Sequence, residues 1–368
     1  MISRWRLFTL PAAALALSVT GAALVTSGPL APLVPGVRAV AASLPTRLSD
    51  QEFWQLVTES SEPEGFFRSD NLLSNELGFQ NVVTELVRAT RRGRVYMGVG
   101  PEQNFTYITA TRPAMVFIVD VRRGNLELQL MYKALFELSA DRAEFVSRLF
   151  SRPRPDGLTP KSTAADIFGA FARVPRNEAL HTQNLAAIQN RLMKTHGLDL
   201  SKDNLDGISY VFNAFFRYGP AIRYSSTSSF GGSYQPNYAD LMTATDQSGL
   251  ARSYLASEDN FKFMKDLESR NMVVPLIGNF GGPKAIRAVG KYLKDRNATV
   301  SAFYLSNVEQ YLRQDGLWYT FCANVATLPL DDSSTFIRSV RRPGDATPGF
   351  GLASELASMV SAVQTCRP

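Results

Sequence analysis

The stretch Val95-Tyr96-Met97-Gly98-Val99-Gly100-Pro101, running on through Glu102 to Thr111, Arg112-Pro113 and Met115 to Asp120, decides the fold. Three strand-like residues end in two alternating glycines, and a helical pattern follows until Arg112-Pro113 stops it. Met115 to Val119 is a continuous apolar run of strand composition, closed by the acid Asp120. Strand, glycine turn, helix, strand and acidic residue within one βαβ-sized unit is the signature of a parallel sheet with helical crossovers.

The same alternation extends in both directions. Ser49-Asp50-Gln51-Glu52 reads as a capping box that starts a helix carrying Phe53, Trp54 and Leu56, so the folded domain is placed at 48–340, with 42–47 as linker. A helix over Phe79 to Thr90 precedes the first strand, and Leu126 to Leu138 and Phe145 to Phe150 are helical after the second. Further helices are predicted at Ala164 to Val174, Leu185 to Thr195 (stopped by His196-Gly197) and Leu205 to Phe216. These place a helical insertion at about 159–219, followed by a Tyr/Ser/Gly-rich loop over 217–238. The α/β pattern then resumes with a helix from Ser257, a strand at Met272 to Ile277 and a second glycine turn, Gly278 to Pro283. Pro283 suits the first position of the next helix. Val300 to Leu305 is the next strand, Ser306-Asn307-Val308-Glu309 a further capping box, and Trp318 to Ala326 the expected last strand. The tail, 341–368, is Pro- and Gly-containing and then weakly helical. The fold class is therefore α/β, a Rossmann-like, mostly parallel sheet with helices on both faces.

The formal charge of +6 does not point to nucleic acid. Arg4, Arg6 and Arg38 lie in residues 1–41, which hold no acid; without them the rest carries +3, with no basic stripe among aromatics. Those N-terminal residues instead read as a secretory signal or an uncleaved membrane anchor, with an apolar run from Leu7 to Val25 and Ala39-Val40-Ala41 as a small-residue cleavage site. The chain is expected to be exported and to meet a membrane through that segment alone. The two cysteines, Cys322 and Cys366, fit a bridge in an oxidising compartment, and Cys322 fits equally well as a core residue.

Chemistry is expected at the first glycine turn. Gly98 and Gly100 allow close approach of backbone to a ligand, Glu102 opens the helix, and Asp120, twenty residues beyond Gly100, is placed to accept hydrogen bonds from ribose hydroxyls. The same residues serve equally as a tight turn with no ligand. The second turn offers Lys284 as an anion contact or as a solvated side chain. Only His181 and His196 are present, so a Ser-His-Asp triad or a His-rich metal site is not expected, and no metal is assigned.

Several stretches carry a resemblance: Ser69 to Glu76, Gly98 to Tyr107, Glu137 to Arg142, Leu241 to Asp246, Gly282 to Arg287 and Ser306 to Tyr311. Through them the chain, from about Phe53 to Ser339, resembles an uncharacterised bacterial family with an S-adenosylmethionine-dependent-methyltransferase-like Rossmann fold. The resemblance implies a small-molecule ligand, S-adenosylmethionine or another nucleoside, held by Gly98, Gly100, Glu102 and Asp120. Tyr96 stands where such methyltransferases place an acid, and Glu102 where they place a third glycine. A non-catalytic envelope protein that kept the fold to bind a ligand or partner is the alternative.

Overall fold

A computed structural model describes residues 43–225, 235–340 and 352–366. The N-terminal segment read as signal or anchor, the centre of the tyrosine-rich loop and the Pro/Gly part of the tail lie outside the described residues.

The fold is mixed α/β around one six-stranded sheet. Its strands are β1 (Val95–Gly98), β2 (Met115–Asp120), β3 (Val273–Ile277), β4 (Val300–Ser306), β5 (Thr335–Val340) and β6 (Ala353–Ser358), in the spatial order β3-β2-β1-β4-β5-β6. All neighbours are parallel except β5 and β6, which are antiparallel. Every residue of β1, β2 and β3, and all but the last of β4, is buried, so both faces of the sheet are covered. The chain runs from β1 outward to β2 and β3, then crosses back to β4 on the other side of β1. That reversal opens a crevice at the carboxyl ends of the strands, where open α/β sheets hold ligands.

Ahead of the sheet lie α1 (Asp50–Ser60) and α2 (Val83–Ala89), and α3 (Gln103–Thr111) joins β1 to β2. Between β2 and β3 come α4 (Arg123–Leu138), α5 (Arg142–Phe150), α6 (Ala164–Phe171), α7 (Glu178–Asn190), α8 (Lys202–Tyr218), α9 (Tyr238–Thr243) and α10 (Glu258–Ser269). The remainder are α11 (Ala285–Lys294), α12 (Val308–Gln314), α13 (Trp318–Val325) and α14 (Met359–Thr365). The Ser49–Glu52 capping box forms at the start of α1, and Thr163, Ser201 and Asn237 cap α6, α8 and α9 in the same reciprocal way. The stretch 159–219 holds α6, α7, a π-helical turn at Arg191–Thr195 and α8. Nearer the sheet, α3 packs on α4 and on the segment before α10 through interlocking aromatics: Phe105 meets Tyr132, Phe136 and Tyr254 edge-on, with ring centroids 5.1 to 5.5 Å apart.

Four readings of the sequence change. Trp318 to Ala326 is not a strand but α13, whose buried Phe321, Cys322, Asn324 and Val325 recur at helical spacing. The strand expected there is β5, and the tail adds β6, which no apolar run announces because its residues are only partly buried. Ser306 forms no capping box: it sits at φ +51° and its hydroxyl donates to Glu76 Oε1 instead. Pro283 lies ahead of α11, whose N-cap is Lys284. A disulfide joins Cys322 of α13 to Cys366, just past α14, with their Cα atoms 6.1 Å apart.

Candidate functional site

The first glycine turn is tied down from inside by Asn104, one turn into the helix it leads to. Asn104 Nδ2 donates to the carbonyls of Val99 (2.9 Å), Gly100 (3.3 Å) and Pro101 (2.8 Å), while its Oδ1 accepts from the Tyr96 hydroxyl (2.9 Å). A Cβ added to Gly98 would lie 1.8 Å from Asn104 Oδ1. Gly98 is therefore demanded by the chain's own asparagine. Gly100 has a different reason, a φ of +78°, and its carbonyl also accepts from Gln129 Nε2 (3.0 Å).

Asp120 ends β2 beside that turn, its Oδ2 3.9 Å from where a Cβ of Gly100 would stand. Its carboxylate is already engaged. Oδ1 accepts from the backbone N of Arg122 (2.9 Å) and from Arg122 Nε (3.0 Å), and Oδ2 accepts from Arg122 Nη2 (2.7 Å). The remaining guanidinium nitrogen donates to the Asp70 carbonyl. Both side chains are nearly buried. Burial pushes the Tyr224 hydroxyl up to about 12, against the pull of Arg122. The described end of the tyrosine-rich loop thus lies within reach of this pair.

Glu102 is fully buried and bonds elsewhere. Its Oε1 accepts from the Ser74 backbone N (3.2 Å), and its Oε2 has no partner among the described residues. Burial pushes its pKa up to about 8, opposed by the Ser74 amide, so the group is a neutral carboxylic acid at pH 7. The neighbouring polar residues converge on Glu76. Its Oε1 accepts from the hydroxyls of Tyr304 (2.9 Å) and Ser306 (2.6 Å), and its Oε2 from Gln103 Nε2 (3.1 Å) and Ser339 Oγ (2.5 Å). Glu76 thereby bonds α3, β4 and β5 together inside the core, and the dense hydroxyl and amide chemistry near the turn is spent on this junction.

The second turn has the same character. Glu62 Oε1 accepts from the backbone N atoms of Lys284 and Ala285, each 2.8 Å away, and Oε2 from that of Asn279 (3.1 Å). The chain's own carboxylate thus fills the anion position at the start of α11. Lys284 Nζ donates to the Ser61 carbonyl (2.9 Å).

Of the four expected site residues, Gly98, Gly100 and Asp120 gather at the carboxyl edge, while the Glu102 carboxyl turns to Ser74. Arg122, Asn104 and Glu62 are the partners that sequence reasoning missed. Arg122 lay two residues past the candidate acid and Asn104 four past Gly100, spacings at which a side chain reaches back to its own turn.

What stays open at this edge is a cavity of about 590 Å³ at the end of β2, lined among others by Phe66, Phe67, Arg68, Arg123, Gly124 and Tyr210. Phe66 is 90% exposed. Arg68 has no hydrogen-bonding partner among the described residues, and Arg123 has a single exposed contact, to Glu64 at 3.3 Å.

Sheet and crevice together define a mixed α/β domain with a mostly parallel six-stranded sheet and an aromatic, arginine-lined opening at its carboxyl edge. The chain belongs to the family described as Domain of unknown function (DUF7790), whose model matches residues 72–158 and 177–365 and so takes in both glycine turns. No curated protein matches it.

Proposed function

We propose that the chain is a Rossmann-like domain that binds a small molecule in the carboxyl-edge crevice and transfers no methyl group. The grip of Arg122 on Asp120 carries this reading. A ribose needs that carboxylate free, and here both oxygens are held in a nearly buried fork. Glu62 in the second turn and Asn104 in the first support it, because each occupies space or donors that a cofactor would use. The residues present do not fit an adenosyl group. The crevice offers aromatic faces and Arg68 instead, which suit a planar or anionic ligand. The N-terminal segment adds that this binding takes place outside the cytoplasm; fractionation of cells expressing a C-terminally tagged chain tests it, and full-length soluble protein in the cytoplasm would overturn it.

A second reading keeps the nucleoside, because Gly100 and Asp120 do face one another. It requires Arg122 to leave Asp120. Calorimetric titration of the wild type and of Arg122→Ala with S-adenosylmethionine, S-adenosylhomocysteine, NAD and ATP separates the two. No heat of binding from either protein supports the ligand-binding domain; saturable binding of an adenosyl compound by the wild type supports the transferase.

A further inference from the structure

We propose that a second cavity, on the outer face of α1, is a saccharide-binding site. It measures about 620 Å³ and shares no lining residue with the carboxyl-edge crevice. Asp50, Gln51, Trp54, Gln55 and Thr58 line it from one side of α1, and His196 and Gly197 close it from the loop after the π-helical turn. A stripe of polar residues on a surface helix is ordinarily just a solvated face. Two observations set this one apart.

One is Trp54. It is part-buried, packed against the core and lining the cavity, yet among the described residues it stacks on no other ring and its indole N–H donates to no group. Such a side chain presents a flat apolar face with a polar tip. The faces of an aromatic ring are negative and attract polarised C–H groups, which a pyranose offers along one side.

The other is the bracing of Asp50. Its Oδ1 accepts from Asn271 Nδ2 (2.8 Å) and lies 2.6 Å from His196 Nδ1. His196 Nε2 in turn lies 2.7 Å from Glu137 Oε2, and Glu137 Oε1 accepts from Lys133 Nζ (2.8 Å). Lys133 and Glu137 are buried, so the chain of contacts is anchored in the core. It holds one oxygen of Asp50, a lining residue, still and leaves Oδ2 without a partner among the described residues, the side chain being 41% exposed. A fixed acceptor of this kind loses little freedom when a ligand binds.

Around these two groups stand the Gln51 amide, the Gln55 amide, whose Nε2 donates to Glu59 Oε1 (2.8 Å), and the Thr58 hydroxyl, which donates to the Trp54 carbonyl (2.9 Å) and can still accept. A fixed carboxylate oxygen, neutral amides and a free indole face match the vicinal hydroxyls and the C–H face of a mono- or disaccharide. An anion would meet Asp50, and both ring nitrogens of His196, the basic side chain in the lining, are already taken by Asp50 and Glu137. A cation would find a carboxylate whose Oδ1 is already bonded to Asn271 and His196.

The test follows the heat of binding of the full chain on titration with glucose, N-acetylglucosamine, maltose, cellobiose and chitobiose, with choline as a cation control. Saturable change with at least one sugar is expected, weakened at least about tenfold, or 1.4 kcal/mol, by Trp54→Ala and by Gln51→Ala. The Gln51 side chain is exposed and makes no hydrogen bond among the described residues, so Gln51→Ala should melt like the wild type. No saturation with any sugar, saturation with choline alone, or sugar binding that survives in both variants would each overturn the proposal.

Discussion

Arg122 holds Asp120 through both carboxylate oxygens across a separation of only two residues, with neither side chain more than 9% exposed. An acid that ends a strand at the ligand edge of a parallel sheet ordinarily faces outward. Here it is half of an internal clamp that also seizes the Asp70 carbonyl and so pins the segment before α2 onto the sheet.

Removing one side of that clamp strands a buried charge. Arg122→Ala should therefore destabilise the fold by about 3–5 kcal/mol in urea unfolding. Arg122→Lys should recover only part of the loss, because an ammonium cannot reproduce the two-pronged fork. A cost of Arg122→Ala within about 1 kcal/mol of zero would show that the pair is solvated and Asp120 available.

Gly98 and Asn104 form a second coupled pair. Gly98→Ala drives a methyl into the asparagine side chain and should cost about 2 kcal/mol or more. Asn104→Ala removes the obstacle but takes the side-chain donor from three turn carbonyls, of which Gly100 keeps Gln129, and the acceptor from the Tyr96 hydroxyl. The double variant should be more stable than the sum of the two losses predicts, and a double-mutant cycle reads that difference directly. Additive costs would mean that the two side chains do not share space.

Stability should fall between about pH 5 and pH 8. Burial pushes both Glu102 and Glu268 up to about 8, so across this window the folded chain holds protons that the unfolded chain has released. His196 acts in the same direction. Burial lowers it, but its bonds to Glu137 and Asp50 raise it further, so its contribution is complete below 6.5 and lost as pH rises through the higher folded value. Asp50 and Glu137 oppose this on the acid side, each held below its usual range by His196 and other partners despite burial, and their contribution is lost as pH drops through those lowered values. Urea midpoints measured from pH 4 to 9 should trace the fall, and Glu102→Gln should flatten it and raise stability at pH 8. A profile unchanged by Glu102→Gln would mean that Glu102 is ionised in the fold.

The parallel half of the sheet was legible because burial on both faces leaves a plain apolar signal. Met115 to Val119 and Val300 to Leu305 read as strands without ambiguity, and Gly98 and Gly100 marked the turn. Thr335 to Val340 did not stand out, since its apolar residues alternate with Arg338 and Ser339, whose partners are Glu309 and Glu76. Trp318 to Ala326 misled because a short apolar run has no period of its own until its neighbours choose one. At the site, residue types were visible but their partners were not. Nothing in one sequence says that Asp120 will turn to Arg122, that Glu62 will reach the start of α11 more than two hundred positions away, or that His196, which reads as a helix stop, will bridge Asp50 and Glu137.

The bond between Cys322 and Cys366 spans 44 positions that include β5 and β6. It ties that stretch back onto α13. Closing a ring of that size removes about 4 kcal/mol worth of disorder from the unfolded chain. It also acts as a gatekeeper of association. With the sulfurs joined, β6 occupies the outer rim of β5. With them reduced, the six-register ladder alone would keep β6 over that rim, an edge that would otherwise offer unpaired backbone groups to another chain.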